Sequence, residues 1–380
     1  MLIGLEAQHA VGHPEPRGVG HYSINLIKAL LQRGSFEYVI TFFDYNKEAK
    51  NRSRAEKLFS NYNAKLCECN ELDYRIASRD DSVFSRKSYC EYTKTNCSIY
   101  HFLNTVSIPS RIEQNVIVTV HDMNWKTNPE GFSDRVLKLV KTGLERLNAL
   151  QPEVIAISNY TRDELLMYSD IPSEKIHVIY QSYDEPNLFP DSSKPNSIVV
   201  GDYILFVGTI ENKKNVLRIV NAFQIVAEKY KELQLVIVGK PTWEDPAPLY
   251  AAIENSGLSK RIILTGYVDI ETKRKLYSHA LCFLFPSICE GWGNPILEAM
   301  ACGCPVITSD ITAMPEAGGD AAVYTDPYNT EMLADKISAI LSSTEYRNEL
   351  IAKGLSHSRL FSWDKTASEV EAVYRKVLGQ

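Results

Sequence analysis

Pro286-Ser287-Ile288-Cys289-Glu290-Gly291-Trp292-Gly293-Asn294-Pro295-Ile296-Leu297-Glu298-Ala299-Met300-Ala301-Cys302-Gly303 follows an apolar run, Leu281–Phe285, and reads as strand, glycine-bracketed loop and short helix. Asn294 suits an N-cap, Pro295 the first helical position and Gly303 the exit. A helix that starts just beyond a strand's C-terminal edge aims its free amides at whatever binds there. That edge is where open α/β sheets hold ligands. Gly291 and Gly293 would let backbone approach such a ligand closely. Glu290 in the loop and Glu298 one turn into the helix flank the segment with seven residues between them. Taken singly, Glu298 could complement the helix dipole and Glu290 could be a solvated loop charge. The strand–loop–helix pattern as a whole points to a ligand site.

Outward from this segment, short β-rich runs alternate with longer amphipathic ones, the pattern of parallel α/β sheets. In the first half, strands are predicted at Leu2–Ala7, Tyr38–Phe43, Ile99–Phe102, Val116–Val120, Val154–Ile157 and His177–Tyr180. In the second half they are predicted at Tyr203–Val207, Leu233–Val238, Ile262–Leu264, Leu281–Phe285, Pro305–Thr308 and Ala322–Tyr324. Ile24, Ile27, Leu30 and Leu31 sit at helical spacing within Tyr22–Leu31; Val216–Tyr230, Lys273–His279 and Trp363–Leu378 also read as helices. The proline- and serine-rich stretch Glu185–Ser197 marks a linker between two Rossmann-like halves. Residues 44–98 are rich in Lys, Arg, Asn, Ser and Tyr without a sustained period. They read as loops and short helices on the rim of the first domain, or as a surface that recognises an acceptor.

At 380 residues the chain is long for one core, and two domains are expected. The 44% hydrophobic and 23% charged content is that of a water-soluble globular protein. A net charge of −6 argues against nucleic acid as the main partner. Glu6 interrupts the N-terminus too early for a signal-peptide core, and no apolar run reaches the ~20 residues of a membrane helix. Cys67-x-Cys69 and Cys302-x-Cys304 lack zinc-type spacing, so Cys282, Cys302 and Cys304 read as small buried residues of a reducing, cytoplasmic compartment. Arg135–Lys141 is basic and amphipathic: a helix packed on the sheet with a solvated basic face, or a peripheral contact with the inner membrane face.

Several segments together resemble the retaining GT-B glycosyltransferases of family 4, the glycosyl transferases group 1, closest in style to bacterial mannosyltransferases. Glu290 and Glu298 match that family's E-x7-E signature, and Ile204–Asn215 looks like its diphosphate-binding segment. Val120-His121-Asp122 and Arg17-Gly18-Val19-Gly20 look like its N-terminal motifs, and Phe361-Ser362-Trp363 like the start of its closing helix. The resemblance implies an α/β GT-B fold, two Rossmann-like domains with parallel sheets facing a central cleft. The acceptor domain would span 1–190 and the nucleotide-sugar domain 198–360, with the helix 363–380 packing back on the first.

The resemblance also implies roles. Lys214, with Lys213, would meet the donor diphosphate, although Thr209 stands where relatives often carry arginine. Glu298 would accept hydrogen bonds from the ribose 2′ and 3′ hydroxyls, and Glu290 would hold hydroxyls of the donor sugar. Backbone around Gly291, Gly293, Asn294, Pro295 and Ile296 would orient that sugar. Gly239 and the edge Gly266-Tyr267-Val268 would line the nucleotide pocket. Gly18 and Gly20 would lie in a loop that approaches phosphates or acceptor, and His121 would join Glu290 and Lys214 in catalysis. Retention would proceed by front-face substitution without a metal. Asp80-Asp81 is adjacent rather than spaced as D-x-D. No cofactor is expected besides the nucleotide-sugar substrate, with GDP-mannose the preferred donor and a UDP-sugar the alternative. The acceptor would be a glycan or lipid-linked sugar of a cell-surface polysaccharide. A catalytically silent nucleotide-sugar-binding protein on the same fold is the reading from a different class.

Overall fold

In a computed structural model, residues 1–14, 18–43, 50–69, 88–195, 197–241 and 246–380 are described. They form two compact units, Met1–Gln181 with Trp363–Gln380, and Ser182–Ser362. The first unit holds seven parallel strands: β1 Leu2–Glu6, β2 Glu37–Phe43, β3 Lys65–Cys69, β4 Ile99–Phe102, β5 Asn115–Val120, β6 Glu153–Ala156 and β7 Ile176–Val178. Their order is β3-β2-β1-β4-β5-β6-β7. The second unit holds β8 Tyr203–Val207, β9 Gln234–Val238, β10 Ile262–Gly266, β11 Phe283–Phe285, β12 Val306–Ser309 and β13 Ala322–Thr325, in the order β10-β9-β8-β11-β12-β13. In each sheet the winding reverses direction once, between β1 and β4 and between β8 and β11. At such a switch point the two flanking loops diverge and leave a crevice at the strands' C-terminal ends.

Helices cover the sheets, so the strands can be apolar along their whole length. All five residues of β8 are buried, as are those of β11 and β12. The helix Val216–Lys229 packs Val216, Ile219, Val220, Phe223 and Val226 inward at helical spacing. In the first unit the helix Trp363–Val377 buries Trp363, Val370, Glu371 and Tyr374. Its Tyr374 hydroxyl lies 2.7 Å from His101 Nδ1, and His101 Nε2 lies 2.9 Å from the Thr119 hydroxyl. Glu371 is fully buried, with Arg33 Nε at 3.1 Å and the Ser35 hydroxyl at 2.9 Å.

Several expected boundaries move. The helix expected over Tyr22–Leu31 begins at Gly18, so Gly18 and Gly20 are its first turn and not a loop; Arg17 lies outside the described residues. The strand read as Leu281–Phe285 is only Phe283–Phe285. The stretch read as a linker is anchored on the second unit: Arg274 Nε pairs with Asp191 at 2.9 Å, and its guanidinium lies 4.4 Å from the Phe189 ring centroid. Residues 182–190, which the sequence places in the first domain, group with the second unit. Within 44–98, an edge strand, β3, stands where only loops and short helices were expected, pairing in parallel with β2. Asp80-Asp81 lies outside the described residues.

Candidate active site

The second unit brings Lys213, Lys214 and Glu290 together at the β8/β11 switch point. After β8 the chain makes a single tight turn, Asn212–Lys214, and then enters the helix Val216–Lys229 through Asn215 in a left-handed conformation, φ +60°. Asparagine tolerates that conformation better than most residues. Its side-chain amide donates to the Pro286 and Pro327 carbonyls at 3.1 and 2.6 Å, fastening the turn to the loop after β11. The Ile288 amide donates to the Lys213 carbonyl at 2.8 Å. The Ser287 hydroxyl lies 2.9 Å from that carbonyl and 2.6 Å from Glu290 Oε1, so its one proton serves one of the two. The Ser309 hydroxyl holds the Ser287 carbonyl at 2.6 Å.

These fastenings place the Lys214 ammonium in direct contact with Glu290 Oε1, an ion pair across 76 residues of sequence. Both side chains are largely buried, at 14% and 13% exposure. Burial alone would push the Glu290 carboxyl up, but the Lys214 and Lys213 ammonium groups, with hydrogen bonds from Lys214 and Ser287, hold it below the usual carboxylate value. Lys214 also lies 5.0 Å from the Phe285 ring centroid. The result is an anion and a cation sharing one site, suited to a ligand that carries a polar ring and a multiply charged group.

Glu298 occupies a second cluster. Its Oε1 accepts from Lys273 Nζ at 2.9 Å and its Oε2 from the Tyr277 hydroxyl at 3.1 Å. Burial first, and then the Glu298 charge beside it, raise the Tyr277 phenol well above its ordinary value, so it stays a donor. Asn215, Ser287, Lys273 and Tyr277 had no assigned role in the sequence. Only the i,i+4 spacing of Lys273 and Tyr277 on one helix hinted that the two act together.

The glycines divide by role. Gly239 adopts φ +139°, and a Cβ there would stand 1.9 Å from the Gly208 carbonyl oxygen. Its amide donates to the Gly266 carbonyl at 2.9 Å, so the ends of β8, β9 and β10 meet backbone to backbone. Tyr267, 44% exposed, lies beside Lys240, whose ammonium is 5.3 Å from its ring centroid; Val268 is half-buried. At the helix Asn294–Ala301, Gly293 is the N-cap and Asn294 the first helical residue, one position earlier than expected. The Ile296 amide donates to the Gly293 carbonyl at 2.9 Å and its side chain is fully buried. Gly303, at φ +76°, follows the helix as its exit.

In the first unit, His121 follows β5. Its Nε2 lies 2.9 Å from the Leu103 carbonyl just beyond β4, and a carbonyl accepts only from N–H. Nε2 is therefore protonated and Nδ1 carries a lone pair. The ring meets Tyr22 edge to face at 4.8 Å between centroids, and burial pushes its pKa down to about 4, so it is neutral near pH 7. On the neighbouring helix Asn159–Tyr168, Glu164 accepts from the Met123 amide and the Tyr160 hydroxyl, each at 3.1 Å. Among the described residues, no three His, Cys, Asp or Glu side chains converge as a metal site, and no helix is long and apolar enough to cross a membrane. All eight cysteines are free thiols.

Sequence profiles of known families match both units. "Glycosyltransferase Family 4" matches residues 16–185 and "Glycosyl transferases group 1" residues 191–357. The chain is 28% identical over 377 residues to the O-antigen chain mannosyltransferase B of Escherichia coli, covering 94% of this chain and 96% of that protein. It is 29% identical over 278 residues to the serotype-specific mannosyltransferase WbdA of E. coli, 69% of this chain but only 34% of that longer protein. Among solved structures, sucrose-phosphate synthase from Thermosynechococcus elongatus superposes with a TM-score of 0.76 at 18% identity, covering 100% of this chain and 99% of that one. Anabaena HepE in complex with UDP-glucose superposes with a TM-score of 0.75 at 15% identity, covering 99% and 100%.

Proposed function

We propose, from the premise that this chain belongs to the family 4, group 1 glycosyltransferases, that it moves mannose from GDP-mannose to a glycan or glycolipid acceptor with retention of configuration. Its fold is of the GT-B type, two parallel-sheet units each flanked by helices. The observation that carries the reading is the Lys214–Glu290 pair at the β8/β11 switch point, a cation for the leaving diphosphate beside a carboxylate for the sugar. The choice of mannose is supported by the relatives named as mannosyltransferases of O-antigen synthesis.

In the proposed reaction the bond between the sugar C1 and the diphosphate oxygen breaks. The acceptor oxygen bonds C1 from the same face, and the acceptor proton passes to the departing phosphate oxygen. Lys214 and Lys213 stabilise charge that grows on the diphosphate, the most effective use of a preformed cation. These two lysines supply the positive charge without a divalent ion. Glu290, kept anionic by its neighbours, holds sugar hydroxyls and stabilises positive charge developing at the ring. His121, neutral with a lone pair on Nδ1, is the first unit's candidate acceptor for a sugar hydroxyl, and the first-turn amides at Gly18–Gly20 are its candidate donors to an anionic group. The acceptor belongs to a cell-surface polysaccharide assembled in the cytoplasm, and the exposed Arg135, Lys138 and Lys141 of the helix Asp134–Leu150 supply a face for anionic lipid.

Thermal shift with GDP, UDP and their mannose and glucose conjugates tests the donor, since ligand bound to the native state raises the melting temperature. Stabilisation by the guanine pair and release of GDP from GDP-mannose in EDTA support the reading. Stabilisation by the uracil pair alone, or activity lost to EDTA and restored by Mg²⁺ or Mn²⁺, contradicts the corresponding part.

A further inference from the structure

We propose that Lys273 and Tyr277 are positioning residues that fix both oxygens of Glu298 for a vicinal diol, and so set the preference for ribonucleotide over dideoxynucleotide donors. The inference rests on the assignment of Glu298 to the ribose. Lys273 and Tyr277 sit one turn apart on the helix Ile270–His279, facing Glu298 on the helix Asn294–Ala301. Lys273 Nζ takes Oε1 at 2.9 Å and the Tyr277 hydroxyl takes Oε2 at 3.1 Å. The Glu298 and Lys273 side chains are 15% and 21% exposed, so each keeps an accessible edge, whereas Tyr277 is fully buried.

A carboxylate has about four acceptor positions, two per oxygen. One on each oxygen is occupied from the protein side, which leaves one on each for an incoming donor. Two hydroxyls on adjacent ring carbons present two donors at a spacing that a single carboxylate spans. Without its two holders the carboxylate would be free to rotate about its terminal bond and would lose its ion pair with Lys273. Lys273 therefore supplies charge and Tyr277 supplies the plane of the group.

A purely architectural role, two helices docked by an ion pair, is the competing account. The two separate in the affinity for GDP against its 2′,3′-dideoxy analogue, with the UDP pair run alongside and the tighter-binding base used. Isothermal titration is applied to wild type, Lys273→Met, Tyr277→Phe and Glu298→Gln, with the melting temperature recorded for each. The wild type should prefer the diol form by about tenfold or more, the scale of one charge-assisted hydrogen bond. Lys273→Met and Tyr277→Phe should shrink that preference to about twofold while leaving affinity for the dideoxy form unchanged. Equal loss for both forms, or a lowered melting temperature with the preference intact, overturns the proposal. If Glu298→Gln itself keeps the full diol preference, the ribose assignment falls and takes the proposal with it. If Glu298→Gln loses the preference and the two holder variants keep it, only the proposal falls.

Discussion

At the scale of single residues, the chemistry rests on charges that neutralise one another until a ligand arrives. Lys214 spends one of its three donors on Glu290, and in the proposed reaction the others serve phosphate oxygens. Lys214→Ala should therefore weaken binding of the nucleoside diphosphate and slow turnover together, because the same cation meets the ground-state phosphate and the leaving group. Titration and initial rates on one preparation check this, and unchanged values for both would move the phosphate site elsewhere. His121→Ala should leave nucleotide affinity within a few-fold and lower kcat by ~10²-fold or more, the size of a positioned polar group. A lowered melting temperature with kcat per folded molecule unchanged would make His121 structural. The glutamates and lysines stood out as candidates from their place after strands. That Lys214 and Glu290 touch was not, because contact across 76 residues depends on β8 and β11 being neighbours, and strand order is not written in local periodicity.

At the scale of elements, the buried apolar strand Tyr203–Val207 was readable to the residue, whereas the equally buried β11 was read two residues too long. The edge strand β3, Lys-Leu-Cys-Glu-Cys, was missed because only Cys69 is buried and its alternation is weak. Helix starts moved because glycine and asparagine are tolerated on either side of a cap; Gly18 joins its helix and Gly293 replaces Asn294 as N-cap. The helix Asn159–Tyr168 carries a buried titratable group of its own. Burial is the largest effect on Glu164 and the Met123 amide and Tyr160 hydroxyl oppose it, leaving a pKa raised from 4.5 to about 7. The folded state thus holds a proton between pH 4.5 and 7 that the unfolded chain has released, so this group's contribution falls as pH rises through that window. Glu164→Gln removes the effect. Its stability advantage over wild type should be near zero at pH 4.5 and grow by up to about 3 kcal/mol at pH 8. Denaturant titrations at both pH values measure it; a difference independent of pH would show that Glu164 does not titrate there.

At the scale of the whole molecule, the two units are each specified by a doubly wound parallel sheet, and the family assignment covers both. The sequence showed two halves but ended the first at 190, whereas residues 182–190 group with the second unit, where Arg274 reaches the Asn187 carbonyl at 3.3 Å and the Phe189 ring. The first unit depends on the end of the chain. Glu371, fully buried on the helix Trp363–Val377, gathers Arg33, Ser35, Tyr38 and Arg375. Glu371→Ala leaves those groups without their common anion and should destabilise the first unit by about 3 kcal/mol. A chemical-denaturation midpoint unchanged from wild type would show the helix to be held by its apolar face alone. The central claim, a glycosyltransferase that grips the sugar with Glu290 and the nucleotide elsewhere in the same unit, is tested most directly by one paired measurement on Glu290→Gln: GDP affinity and GDP release from GDP-mannose. The account predicts affinity within a few-fold of wild type and release lost by ~10²-fold or more. Release at near the wild-type rate with affinity unchanged would contradict it.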